Sequence, residues 1–158
     1  MSTIYIETSI IGYLTARSRD RLIFAGRQEL TRQWWRERRH LYDLVTSQLV
    51  IDEAGRGDPE AAAERLAYLE DVELLDSSDL RIVALAETLL QESLLPENAR
   101  SDALHVATAA VHRVEYLLTW NCRHIANADQ LPKIYRCLSE LGYGPPLIVT
   151  PDEFSSHE

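Results

Sequence analysis

The chain has 158 residues, 46% of them apolar, with only 6 Gly and 6 Pro: enough to bury one core, and not a disordered or low-complexity composition. A formal net charge of −9, from 25 acids against 16 bases, argues by itself against a nucleic-acid partner, because neutralising phosphate needs Lys and Arg. No apolar run approaches the roughly 20 residues that span a bilayer, and the opening MSTIYIETS meets a carboxylate at Glu7, unlike a signal peptide.

The first predicted element is a strand over Thr3–Glu7 (TIYIE). A long amphipathic helix follows over Asp20–His40, with Leu22, Ile23, Leu30, Trp34 and Leu41 as its expected inner face. A second strand, Asp43–Thr46 (DLVT), leads into a short helix from Val50 to Gly55, and Pro59 starts another through Tyr68 and Leu69. The third strand is Val72–Leu75. Ser78 or Asp79 caps a helix that runs to about Leu94 and ends before Pro96. Ser101 and Asp102 head the cleanest helix in the chain, DALHVATAAVHRV, which feeds a fourth strand at Tyr116–Thr119 (YLLT). A helix over Leu131–Leu141 stops at Gly142, and Leu147–Thr150 (LIVT) closes as a fifth strand. Continuous apolar strands alternating with helices predict an α/β fold: a parallel sheet of about five strands, buried on both faces, in a single domain over residues 1–158.

The charge is unevenly placed. Eight of the 16 bases lie between Arg17 and Arg39, opposed there only by Asp20, Glu29 and Glu37, so this stretch carries +5 and the remainder −14. A basic arm on an acidic body fits a polyanion, and a solvated arginine-rich helix face fits the same residues equally well. Cys122 and Cys137 cannot form a disulfide framework and lack the spacing of a zinc site, which leaves a cytoplasmic protein as the expected setting.

In a sheet of this kind the ligand crevice lies beyond the carboxyl ends of the strands. Glu7 closes the first strand, Glu53 lies in the helix after the second, Asp102 heads the helix leading into the fourth, and Asn121 follows that strand. No phosphate-cradling glycine loop and no nucleophile elbow follows any strand. What collects at this edge is oxygen ligands, the set preferred by hard dications such as Mg²⁺ or Mn²⁺. Each residue has a quieter reading: Asp102 as a helix cap, Glu53 as a solvent-facing side chain, Asn121 as a turn residue, His124 as a surface histidine. His105 and His112 read as sharing a partly exposed face. Glu7 is the hardest to dismiss, since a carboxylate closing a buried strand needs a partner or an ion.

These blocks resemble the PIN-domain nucleases, particularly the VapC-like branch of bacterial toxin–antitoxin systems. IYIETSIIGYL is similar to the family's first strand with its acidic end, and TSQLVIDEAGRGD to its second strand and following helix. SDALHVATAA is similar to its acidic helix start, LLTWNCRHI to its fourth-strand block, and LIVTPDEF to its last strand. The chain departs from the pattern in carrying Glu7 where Asp is usual and neutral Asn121 where a further acid is common.

The resemblance implies a three-layer α/β/α PIN-like fold and a divalent-metal-dependent endoribonuclease that hydrolyses RNA phosphodiester bonds, as the toxin of a toxin–antitoxin pair. It implies Glu7, Glu53 and Asp102 as holders of one Mg²⁺ or Mn²⁺, with Asn121 as the fourth catalytic position. An antitoxin partner, a homodimer and no membrane attachment follow from the same likeness. Arginines of the Arg17–Arg39 arm would grip RNA, with Trp34, Trp35 or Trp120 as either a base-stacking face or core. The alternative is a catalytically weak PIN-like module acting through RNA or protein binding. A response-regulator-like enzyme fits poorly: Glu7 is no phosphoacceptor and Lys133 precedes the last strand.

Overall fold

The computed structural model describes residues 1–17, 21–92, 94–96 and 98–154. Its strands are β1 (Thr3–Ile6), β2 (Asp43–Thr46), β3 (Glu73–Leu74), β4 (Tyr116–Leu118) and β5 (Leu147–Val149). All neighbours run parallel, in the order β3-β2-β1-β4-β5. The helices are α1 (Thr8–Thr15), α2 (Leu22–Glu37), α3 (Gln48–Ala54), α4 (Pro59–Ala67), α5 (Leu80–Gln91), α6 (Arg100–Val111) and α7 (Leu131–Glu140).

This order explains the layers. The chain steps outward from β1 to β2 to β3, then crosses back to β4 and steps the other way to β5. Right-handed crossovers therefore put α1 to α4 on one face of the sheet and α5 to α7 on the other. The packing agrees, with α1 against α2, α3 and α4, and α5 against α6. The result is three layers, α/β/α, and the direction of the steps reverses between β1 and β4.

The central strand is the core. Ile4, Tyr5 and Ile6 are fully enclosed, as are Leu117 and Leu118 beside them. Helix α6 is enclosed on nearly every side: Ala103, His105, Val106, Ala107, Thr108, Ala109, Ala110 and Val111 are all buried. Its small side chains let it lie close against its neighbours, and its lack of a polar face marks it as an internal helix.

Two expectations are corrected here. Thr8–Thr15 forms a helix where none was predicted, and Glu7 is its N-cap, its carboxylate accepting from the Ser9 amide. The inner face of α2 is also rotated from the predicted one. Leu22 and Ile23 are 90% and 74% exposed, and Leu30 and Leu41 also face water; of the predicted face only Trp34 is buried, joined by Gln28, Thr31 and Trp35. Polar bonding selects this face: the Gln28 amide donates to the carbonyls of Tyr13 (3.1 Å) and Ala16 (2.6 Å), and Trp120 Nε1 donates to Thr31 Oγ1 (2.7 Å). The predicted start of that helix at Asp20 lies outside the described residues. Smaller shifts occur at the ends: α5 stops at Gln91 with Asp79 as its cap, and α3 starts at Gln48, capped by Ser47.

Candidate functional site

Parallel connectivity decides which helix ends meet. Glu7 stands at the carboxyl end of β1, and α3 leaves the carboxyl end of β2. Helix α6 precedes β4, so it begins at that same sheet edge and brings Asp102 in its first turn, while Asn121 lies just past β4. All four residues therefore gather around the point where the strand order reverses, the usual ligand crevice of an open parallel sheet.

Glu7 is only 5% exposed, and its Oε2 is the hub of a small network. It accepts from the Ser9 amide at 2.9 Å, from Thr119 Oγ1 at 2.8 Å and from the Ser9 hydroxyl. Ser9 Oγ in turn accepts from the Trp120 amide at 2.8 Å, which ties the end of β1 to the end of β4. The cap explains how a carboxylate is tolerated at this depth, since three donors replace the water it has lost.

Glu53 is tied to a different set. Thr8 Oγ1 donates to its Oε1 at 2.8 Å, and His105 Nε2 lies 2.6 Å from the same oxygen. Burial alone would raise the carboxyl pKa, but the His105 and Thr8 bonds outweigh it and hold Glu53 below the usual carboxylate range. Glu53 does not simply face water. His105, read from the sequence as partly exposed, is fully buried; its Nδ1 meets the Tyr5 hydroxyl at 2.8 Å. His112, at the C-cap of α6, is partly exposed as expected and contacts the Asp76 carbonyl.

Asp102 is no cap, because α6 begins without a side-chain cap bond. Its Oδ1 accepts from Asn121 Nδ2 at 3.0 Å, and its Oδ2 lies 2.8 Å from His124 Nδ1. Asn121 is more than a turn residue: it also takes the His124 amide on its Oδ1 at 3.1 Å and reaches back to Thr119 Oγ1 through its own amide at 2.9 Å. Thr119 therefore links the Glu7 network to that of Asp102, and Thr8, adjacent to Glu7 in the chain, links it to Glu53.

The edge thus holds three carboxylates in adjoining networks. Among the described residues, no three Asp, Glu, His or Cys side chains are gathered as a metal-holding group. Both oxygens of Asp102 have a partner, whereas Glu7 Oε1 and Glu53 Oε2 take no hydrogen bond from any described residue. In chemical type the donors suit a hard dication, being carboxylate oxygens joined by an amide oxygen. Of the residues the sequence did not place in the site, His105 and Thr119 hold acids, and Tyr5 and Ser47 stand behind His105. A histidine flanked by apolar residues in DALHVATAAV was the one available signal.

The three tryptophans are core residues here. Trp34, Trp35 and Trp120 are each less than a tenth exposed, and Trp34 stacks on Tyr42. Arg27 lies over the Trp120 ring, 5.1 Å from its centroid. None presents an open face for a base.

No family model and no curated protein sequence matches the chain. Solved structures do. VapBC2 from Rickettsia felis, bound to a DNA fragment from its promoter, aligns over 94% of this chain and 98% of its own, with 16% identity and a TM-score of 0.54. VapBC-1 from nontypeable Haemophilus influenzae aligns over 95% and 98%, with 16% identity and a TM-score of 0.56. FitAcB from Neisseria gonorrhoeae aligns over 96% and 99%, with 13% identity and a TM-score of 0.57. At these identities the likeness is one of fold, and the fold is the three-layer PIN-like one.

Proposed function

We propose that this chain is one PIN-like domain over residues 1–158, a divalent-metal-dependent endoribonuclease that acts as the toxin of a toxin–antitoxin pair. The observation that carries the reading is the convergence of Glu7, Glu53, Asp102 and Asn121 on the strand-order reversal between β1 and β4, in linked networks. A shared fold alone does not specify chemistry, so the argument rests on these side chains.

Glu7, Glu53 and Asp102 are the residues that would hold one Mg²⁺ or Mn²⁺, directly or through water. When bound, the cation would polarise a phosphodiester and lower the pKa of an attacking water. The chain's own residues do the rest. Ser9, Thr119 and Thr8 fix two of the carboxylates, each with one oxygen free of donors among the described residues. Asn121 and His124 fix the third. The arginines between Arg17 and Arg39 supply positive charge for an RNA backbone on an otherwise acidic surface.

An antitoxin and a second copy of the chain are the proposed protein partners. The exposed Leu22, Ile23 and Leu30 along α2 support a protein-facing helix, and the likeness to VapBC and FitAcB structures supports an antitoxin. Among the described residues no helix is long and apolar enough to cross a membrane, in keeping with the proposed cytoplasmic site of action.

Asp102→Ala tests the reading: Mg²⁺- or Mn²⁺-dependent cleavage of RNA is expected to disappear, and unchanged cutting would refute the assignment. A second reading, a module that binds RNA or protein with little cleavage, is favoured by one observation: each Asp102 oxygen already has a partner, in Asn121 or His124. Calorimetric titration with Mn²⁺ separates the two, since binding that is lost in Glu7→Ala supports the nuclease and an absence of heat supports the module.

A further inference from the structure

Tyr5 sits in the middle of the central strand, fully buried, with a hydroxyl that must be satisfied there. It lies 2.6 Å from Ser47 Oγ and 2.8 Å from His105 Nδ1, while His105 Nε2 lies 2.6 Å from Glu53 Oε1. Ser47, Tyr5 and His105 are all buried, so four side chains form one line that runs from the interior to the edge.

The direction of that line follows from counting protons. Glu53 Oε1 already accepts from Thr8 Oγ1, so at the 2.6 Å contact it is the acceptor and His105 Nε2 the donor. The Tyr5 phenol carries one proton and, being fully buried, must place it on one of its two neighbours. The Val50 amide already donates to Ser47 Oγ, at 3.4 Å. If His105 Nδ1 were also protonated, it would donate to Tyr5 and Tyr5 to Ser47. The Ser47 hydroxyl would then have no acceptor among the described residues. With Nδ1 bare, every donor is matched: Ser47 to Tyr5, Tyr5 to Nδ1, and Nε2 to Glu53.

We propose that His105 is a positioning residue, held as the Nε2–H tautomer by Tyr5 and Ser47, which clamps Glu53 Oε1 and leaves Oε2 for the cation. The inference rests on the reading of this edge as a cation-dependent centre and names a part of it that the acids alone do not reveal. A glutamate on a short helix has several rotamers, and fixing one beforehand removes that ordering cost from cation binding. Outer partners of this kind contribute about 10- to 100-fold to metal affinity.

The test uses the full chain in two measurements. Long-range ¹H–¹⁵N correlation NMR on histidine-labelled protein, without metal, reads the tautomer directly. His105 is expected as a single Nε2–H form that becomes mixed in Tyr5→Phe. Calorimetric titration with MnCl₂ is expected to show about 10- to 100-fold weaker binding in His105→Ala. Binding should return in part in His105→Gln, whose amide N–H still reaches toward Glu53, and Tyr5→Phe should fall between. A Nδ1–H tautomer in the unmodified chain overturns the proposal, as does a folded His105→Ala or His105→Gln that binds Mn²⁺ undiminished. Should the unmodified chain give no heat with Mn²⁺, the metal reading fails on its own. The NMR arm then decides: a tautomer lost in Tyr5→Phe upholds the clamp, and an unchanged one overturns it.

Discussion

Glu7 has two jobs that substitution can separate. Its Oε2 caps α1 and takes three hydrogen bonds, while under the proposed function its Oε1 would face the cation. Glu7→Ala removes both. Loss of the cap costs about 1 kcal/mol, and the Thr119 hydroxyl, fully buried, loses its carboxylate acceptor at a cost of about 1–3 kcal/mol. The sum is about 2–4 kcal/mol, and for a chain of this size each kcal/mol moves Tm by about 2–4 °C, so a fall of about 5–15 °C is expected. Glu7→Gln keeps an oxygen where Oε2 stands and loses only the charge, so its stability should stay within about 1 kcal/mol of the unmodified chain. Both variants should weaken Mn²⁺ by about tenfold or more, because the attraction of a carboxylate for a nearby cation is gone in each. Thermal unfolding in chelator and calorimetric titration read the two quantities on the same samples. If Glu7→Gln is as unstable as Glu7→Ala, or binds Mn²⁺ normally, the division of labour between the two oxygens is wrong.

Further outcomes follow from the same networks. Glu53 has a folded-state pKa below its ordinary value, so it contributes stability that is complete above that value and is lost as pH falls through the folded pKa; in Glu53→Gln, the stability-against-pH curve below about pH 4.5 should be flatter. Asn121→Asp replaces a donor to Asp102 with a like charge. It should therefore destabilise the metal-free protein by about 1–3 kcal/mol and tighten Mn²⁺ binding, and a change of opposite sign in either measurement counts against the site. If the arginine arm holds RNA, Arg21→Ala with Arg36→Ala should lower the slope of log affinity against log salt by about 0.7 per residue, as measured by fluorescence anisotropy on single-stranded RNA.

The fold was legible where apolar runs and turn residues coincided. TIYI, DLVT, YLL and LIV stand where the sequence puts them, because a strand buried on both faces needs an unbroken apolar run and leaves little room for another reading. Helix α1 was missed because Glu7 read as the last residue of the strand, and only the folded chain shows that it caps a helix beginning at Thr8. The face of α2 was misread because Leu22 and Ile23 are the apolar choice and Gln28 and Thr31 the polar one. Tertiary hydrogen bonds to Tyr13, Ala16 and Trp120 reverse that preference. The four site residues could be placed at one edge from strand ends and helix starts alone. Their partners could not, since Tyr5, Ser47, His105 and Glu53 are brought together from positions as far apart as 100 residues, and local periodicity carries no trace of that meeting.

The enclosure of α6 limits how this protein can adapt. A helix wedged between a sheet and its neighbours by alanines has nowhere to slide, so Asp102 and His105 stand as fixed fittings. The opposite layer is built differently, since α2 carries Leu22, Ile23 and Leu30 on its exposed side. Under the proposed function, alignment of the acids would rest on the enclosed α6 and contact with a partner on the exposed side of α2, so that changes retuning one need not disturb the other.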